Sequence, residues 1–282
     1  MNVTRRDVMK TAAAAAGAAG LGACAGGVKA RPGGLVSALP PTGTAVPDAA
    51  LRVRPSAERG GANHGWLDTK HSFSFADYYD PRHMGFRALR VINEDSIAGG
   101  QGFPMHPHRD MEILTYVLSG ALEHKDTLGN GGVIRPDTLQ RMSAGRGIRH
   151  SEFNPLPSER VHLLQIWIEP DARGVAPGYG ERAFPLDDRR NRLRLVASPD
   201  GADGSISVHT STRLHVSILE PGRTVAHAVE AGRYAWIQVA RGEVDVNGRG
   251  LRAGDGLAVS AAGLLEMKAR ATGAELLVFD LA

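Results

Sequence analysis

The sequence predicts an all-β protein of two stacked β-barrels, and three observations carry that expectation. From Leu51 onward no stretch shows the 3.6-residue apolar period of a long amphipathic helix. Instead, short β-prone runs such as Glu112–Leu118, Val161–Ile168 and Tyr234–Val239 alternate with turn residues. Second, one unit recurs. Ser119-Gly120-Ala121-Leu122 and then residues 134–145 resemble Arg241-Gly242-Glu243-Val244 and then residues 251–263, each copy closing on a small-residue run ending in glycine. Third, 282 residues with 42% hydrophobic content suit two domains of ordinary size, each with its own core.

The elements follow in chain order. Residues 1–24 read as a targeting segment. Thr4-Arg5-Arg6-Asp7-Val8-Met9-Lys10 has the twin-arginine pattern and precedes a weakly hydrophobic Ala/Gly run, too short to span a bilayer. The expectation is export of the folded chain by the twin-arginine machinery to the periplasm. Leu21-Gly22-Ala23-Cys24 resembles a lipobox, in which Cys24 is lipidated and tethers the protein to a membrane; the alternative is a plain cleavage region. Cys24 is the sole cysteine, which excludes an intrachain disulfide and any multi-cysteine metal site. Residues 25–50, rich in Gly, Ala and Pro, read as a flexible linker. A first barrel is expected over 51–175 and a second over 185–282, with the break in the charged stretch around 171–190.

A sequence pI near 9.2 raises nucleic-acid binding as a question. The first 23 residues hold two of the three net positive charges, through Arg5, Arg6 and Lys10 against Asp7. No long basic run occurs elsewhere, so no nucleic-acid partner is expected.

The chemistry lies in two pairs of residues. His106 and His108 stand two apart, so a strand projects both to one face, and Glu112 has the same parity. Downstream, His150 and Glu152 form a second pair with the same spacing. Neutral imidazoles with a carboxylate suit Fe(II), Mn, Ni, Cu or Zn and leave positions for water, oxygen or substrate. His64, His71, His124 and His162 are expected to be ordinary core or surface histidines.

These residues carry a resemblance. Gly100-x5-His106-x-His108-x3-Glu112 and Gly147-x2-His150-x3-Asn154 have the form of the two cupin motifs. More narrowly, the chain resembles the pirin family in several segments: His106 through Leu118, His124-Lys125-Asp126, Gly147 through Asn154, Asn63 through Asp68, His71 through Phe75, and Gln165 through Ile168. The resemblance implies a bicupin, two jelly-roll barrels, with one divalent transition metal in the N-terminal barrel. Its ligands carry over to His106, His108, His150 and Glu152, which leaves Glu112 in an outer, supporting position. Arg146 departs from the family pattern, which usually has a small or hydroxyl residue there, at a turn expected to form the mouth of the site.

The second barrel is expected to hold no metal. Counted from Gly120, the first histidine pair lies at −14 and −12, and the same offsets from Gly242 reach Ala228 and Glu230. The fifth residue after Gly263 is Lys268, where Gly145 leads to His150. His227 is one place out of register, which is expected to turn it to the opposite face of its strand.

Some pirin-like proteins are similar to quercetinases, which split a flavonol with dioxygen and release carbon monoxide. By that resemblance the substrates are a flavonol and O2, and Glu152 acts as proton acceptor; Fe(II) is the metal most expected, because twin-arginine export allows loading in the cytoplasm. Phe103, Met105, Phe153 and Trp167 are the candidates to flank the planar rings. A non-catalytic metal-dependent binding or redox-sensing protein, and a cupin isomerase or hydrolase, are the alternatives.

Overall fold

The structure, a computed structural model, describes residues 43–282. The first half runs β1 (Leu51–Arg54), β2 (Gly60–Asn63), β3 (Leu67–His71), β4 (Leu89–Ile97), β5 (Gly102–His108), β6 (Glu112–Ser119), β7 (Leu122–Asp126), β8 (Gly131–Ile134), β9 (Thr138–Ser143), β10 (Ile148–Phe153), β11 (Val161–Ile168) and β12 (Gly178–Ala183). A short helix, α1 (Leu186–Arg189), leads into β13 (Arg194–Ser198) and β14 (Ile206–Ser207). The remainder is β15 (Arg213–Leu219), β16 (Thr224–Val229), β17 (Tyr234–Val246), β18 (Arg249–Arg252), β19 (Gly256–Val259) and β20 (Gly263–Leu281).

Three sheets stack in layers. A four-stranded sheet, β5-β10-β7-β8, faces a seven-stranded sheet, β12-β9-β6-β11-β4-β3-β2, and the two enclose the first barrel. The alternation along each strand divides its side chains between two environments. On β11, Val161 and Leu163 turn into the first barrel, while Leu164, Ile166 and Ile168 turn outward. There they meet Trp236, Leu277 and Phe279 of a nine-stranded sheet built around β17 and β20, which curls about a core of its own. Each fully buried side chain of this shared layer contributes about 1.5–3 kcal/mol relative to exposure, so the two barrels are joined by an apolar seam.

The repeat read from the sequence has a physical basis at its glycines. Gly120 and Gly242 both take positive φ, +78° and +69°. An added Cβ would lie 2.9 Å from the Arg160 carbonyl oxygen at Gly120 and 2.0 Å from that of Gly273 at Gly242. Either position excludes other residues through backbone conformation and close approach together.

The expected boundaries shift at both ends of the first barrel. β1, assigned to it by position, instead pairs antiparallel with β19 of the second barrel, Leu51 opposite Val259. The end of the presumed linker follows it: Ala45 bridges Leu264, Val46 is buried, and Asp48 pairs with Arg249. At the other end, the charged stretch taken for a break contains β12, which pairs with β9 and belongs to the first barrel. The twin-arginine pattern and Cys24 lie outside the described residues. Among those described, no helix is long and apolar enough to cross a membrane.

Candidate metal centre

Strand alternation brings the ligand candidates together. On β5, His106 and His108 share the inward face, at 3% and 8% exposure. β10 runs antiparallel to β5 and sets His150 directly opposite His106. The three imidazole centroids lie 4.4 to 4.8 Å apart, and one ligand nitrogen from each falls within 4.8 Å of the others. His106 Nδ1 sits 2.8 Å from the Pro104 carbonyl oxygen. A carbonyl can only accept, so Nδ1 carries the proton and Nε2 keeps its lone pair for a metal. This donor set of three buried imidazoles fits a divalent transition metal.

Glu152 follows on the same face of β10 and is buried at 1% exposure. The β10–β5 ladder shifts register between His150 and Glu152, so Glu152 pairs with Phe103. Gln165 Nε2 donates to both Glu152 oxygens, at 3.1 and 3.4 Å, and Thr115 Oγ1 donates to Gln165 Oε1 at 2.9 Å. The carboxylate, which can only accept, fixes which end of the amide faces it, and the threonine hydroxyl donates to the other end. The metal-competent cluster among the described residues comprises the three histidines, with Glu152 beside it as a buried, oriented carboxylate.

A cavity of about 540 Å³ opens onto His108. Its walls include Phe75, Tyr78, Tyr79 and Met84 from the long connection between β3 and β4, together with Met111 and Trp167. That connection is ordered by its own bonds: Phe75 and Tyr78 exchange backbone hydrogen bonds at 3.0 Å, and Ser74 Oγ bonds the Asp80 carbonyl. Arg54 of β1 reaches it too, donating to the Ser72 carbonyl and the Tyr78 hydroxyl. Trp167 stands edge-on to both His108 and Phe75, at 4.9 and 5.4 Å. Arg90, Arg109 and Arg149 also line the cavity, and among the described residues no carboxylate does. The lining therefore favours an anion.

Several expectations are corrected here. Glu112 does not support the site. Between His108 and Glu112 the chain turns at Asp110, whose φ is +49°, so parity does not carry from β5 into β6. Glu112 instead faces the seam between barrels, accepting from Ser143 Oγ at 2.9 Å and from the His209 backbone at 3.3 Å. Of the four ring-flanking candidates, Trp167 alone lines the cavity. Phe103 is core, packed edge-on against Trp66, while Met105 is 42% exposed and Phe153 lies on β10 away from the cavity lining. Arg146 is exposed and lines no part of the cavity. His227 does face the inside of the second barrel, on the same side of β16 as the core residues Val225 and Val229.

Thr115, Gln165 and His124 are the residues that sequence reasoning missed. The first two are polar residues at inward positions of otherwise apolar strands, a signal present in the sequence. His124 is a core histidine as expected, yet its neighbour is His150, 3.4 Å away between Nδ1 atoms.

Two stacked jelly-roll barrels with a candidate metal centre in the first define a bicupin. More narrowly, the chain belongs to the pirin family. The Pirin model matches residues 52–168, and the model described as the quercetinase C-terminal cupin domain matches 195–281. The chain is 50% identical over 231 residues to quercetin 2,3-dioxygenase of Escherichia coli (strain K12), covering 82% of this chain and 98% of that one. It is 45% identical to a pirin-like protein of Caulobacter vibrioides, with 81% and 98% covered. Among solved structures it is similar to the bacterial pirin YhhW of Escherichia coli in complex with nickel(II), with TM-score 0.78, 49% identity, and 82% and 98% covered.

Proposed function

We propose that this protein is an exported dioxygenase that cleaves flavonols with O2. The observation that carries the reading is the aromatic, cationic cavity opening onto His108 of the three-histidine cluster. The relative at 50% identity, a quercetin 2,3-dioxygenase, supports the flavonol reading. A divalent transition metal held by His106, His108 and His150, with Glu152 as a fourth ligand, supplies Lewis acidity toward a substrate hydroxyl. The chain's own residues do the rest. Phe75, Tyr78 and Trp167 flank the planar rings and exclude water, and the three guanidinium groups favour the deprotonated flavonol. Glu152 takes the proton of the 3-hydroxyl on a carboxylate oxygen, and Gln165 holds that carboxylate in place.

Iron is the proposed native metal. Raw affinity favours copper or zinc, so selection depends on where loading occurs, and twin-arginine export permits folding and loading in the cytoplasm. Arg5→Lys with Arg6→Lys is expected to strand folded protein there; unchanged periplasmic delivery on fractionation would refute export. Lipidation at Cys24 is a separate proposal, tested by release of Cys24→Ala from the membrane fraction.

The chemistry is tested with quercetin. The metal-replete protein should bind it without oxygen and shift its absorption to the red, and air should bleach that band with release of carbon monoxide. Glu152→Gln should lower the rate by about 10²–10⁴ at matched metal content, since an amide cannot accept the proton. Binding without oxygen consumption would instead identify a metal-dependent binding protein.

A further inference from the structure

A buried hydrogen-bonded chain runs from His150 away from the cavity to the turn after β7. His124, 0% exposed, stands 3.4 Å from His150 Nδ1 through its own Nδ1, and Gln140 Nε2 reaches the same atom at 3.0 Å. On its other side, His124 Nε2 lies 3.3 Å from Asp126 Oδ2. Asp126 is anchored in turn: its Oδ1 accepts from the backbone of Leu128 and Asn130, and the Asn130 amide donates to both oxygens. Tyr179 of β12 stacks on the His124 ring at 4.8 Å.

The donors and acceptors allow one arrangement of protons. An amide nitrogen only donates, so His124 Nδ1 is an acceptor and its proton sits on Nε2, toward the Asp126 carboxylate. His150 Nδ1, facing that same acceptor, must supply a proton of its own. The lone pair of His150 is then left on Nε2, as metal ligation requires.

We propose that Asp126 and His124 are positioning residues that fix His150 in its metal-ligating tautomer. The inference rests on the metal centre and is independent of the flavonol chemistry. Asp126→Asn retains Oδ1 for the turn but places a donor at Oδ2. His124 would then carry its proton on Nδ1, and the His150 proton would be driven to Nε2, where it blocks a metal.

The test uses the full chain with Ni(II) as the probe. Affinity is read by competition with a chromophoric chelator, and ring protonation by ¹H–¹⁵N correlation NMR of the metal-stripped protein. Wild type should show His150 protonated on Nδ1. Asp126→Asn and His124→Leu should each weaken Ni(II) binding about 10–100-fold, the range for lost outer partners of a metal ligand. His124→Gln, whose carbonyl can accept from His150, should recover most of that loss. Should Asp126→Asn disturb its turn, the two His124 variants leave the turn intact and decide the matter. Unchanged affinity in His124→Leu, or His150 protonated on Nε2 in wild type, would overturn the proposal. A wild-type protein that takes up no nickel would fail at the metal centre itself, a different result.

Discussion

The interiors of the two barrels hold similar residues arranged to opposite ends. In the first, His106, His108 and His150 converge, and their surroundings are acceptors and neutral donors: the Pro104 carbonyl, His124 and Gln165 beside Glu152. In the second, His215 and His227 also lie close, with ring centroids 5.3 Å apart, and His227 Nε2 is 3.2 Å from Asp280. There Arg233 also binds Asp280, through a side-chain hydrogen bond and an ion pair. Among the described residues, His215, His227 and Asp280 do not form a cluster of the kind that His106, His108 and His150 make. The carboxylate must not already be neutralised by a guanidinium, and the imidazoles must turn their lone pairs to a common point.

The largest effect expected from this contrast is on metal stoichiometry. His106→Ala or His150→Ala should each abolish most metal binding, while His227→Ala should leave about one metal per chain by elemental analysis, because one-sided loss of a ligand opens a three-imidazole set. A second metal that disappears with His227 would erase the distinction between the barrels.

A smaller effect sharpens it. Burial, and then the neighbouring His227, push the His215 imidazole down to about 4, with Arg213 acting in the same direction and Asp280 opposing. Its folded value lies below its unfolded one, so its stabilising contribution is present above about pH 6.5 and is lost as pH falls toward 4. The group contributes at most about 3 kcal/mol by this linkage. His215→Leu should therefore lose less stability than wild type between pH 7 and 4.5 in urea titrations. Equal losses in the two proteins would show that this imidazole is not held neutral by the second barrel.

Much of the first barrel's site was legible because its signal is local. Two residues apart on a strand means one face, and that rule placed His106 with His108 and His150 with Glu152, while the family resemblance joined the two pairs. The same rule failed for Glu112, because a single residue at positive φ, Asp110, resets the parity and no feature of the spacing announces it. The cavity walls were hidden for another reason. Phe75, Tyr78 and Met84 come from an irregular connection whose path is set by tertiary hydrogen bonds, and periodicity says nothing about such a segment. His227 was misassigned by counting from an aligned glycine, although its neighbours Val225 and Val229 show an inward face once the strand is known. The pairing of β1 had no local trace at all, since its partner strand comes almost at the end of the chain.

That pairing has a consequence for how the protein is made. As the chain emerges from the ribosome, Leu51–Arg54 waits without its edge until β19 has been synthesised. Arg54 sits on that strand and is one of the bonds that hold the Tyr78 wall of the cavity. A chain that ends before β19 lacks the edge on which Leu51–Arg54 is seated. The Tyr78 wall of the cavity thus depends on a strand whose own edge partner is among the last segments of the chain to be made.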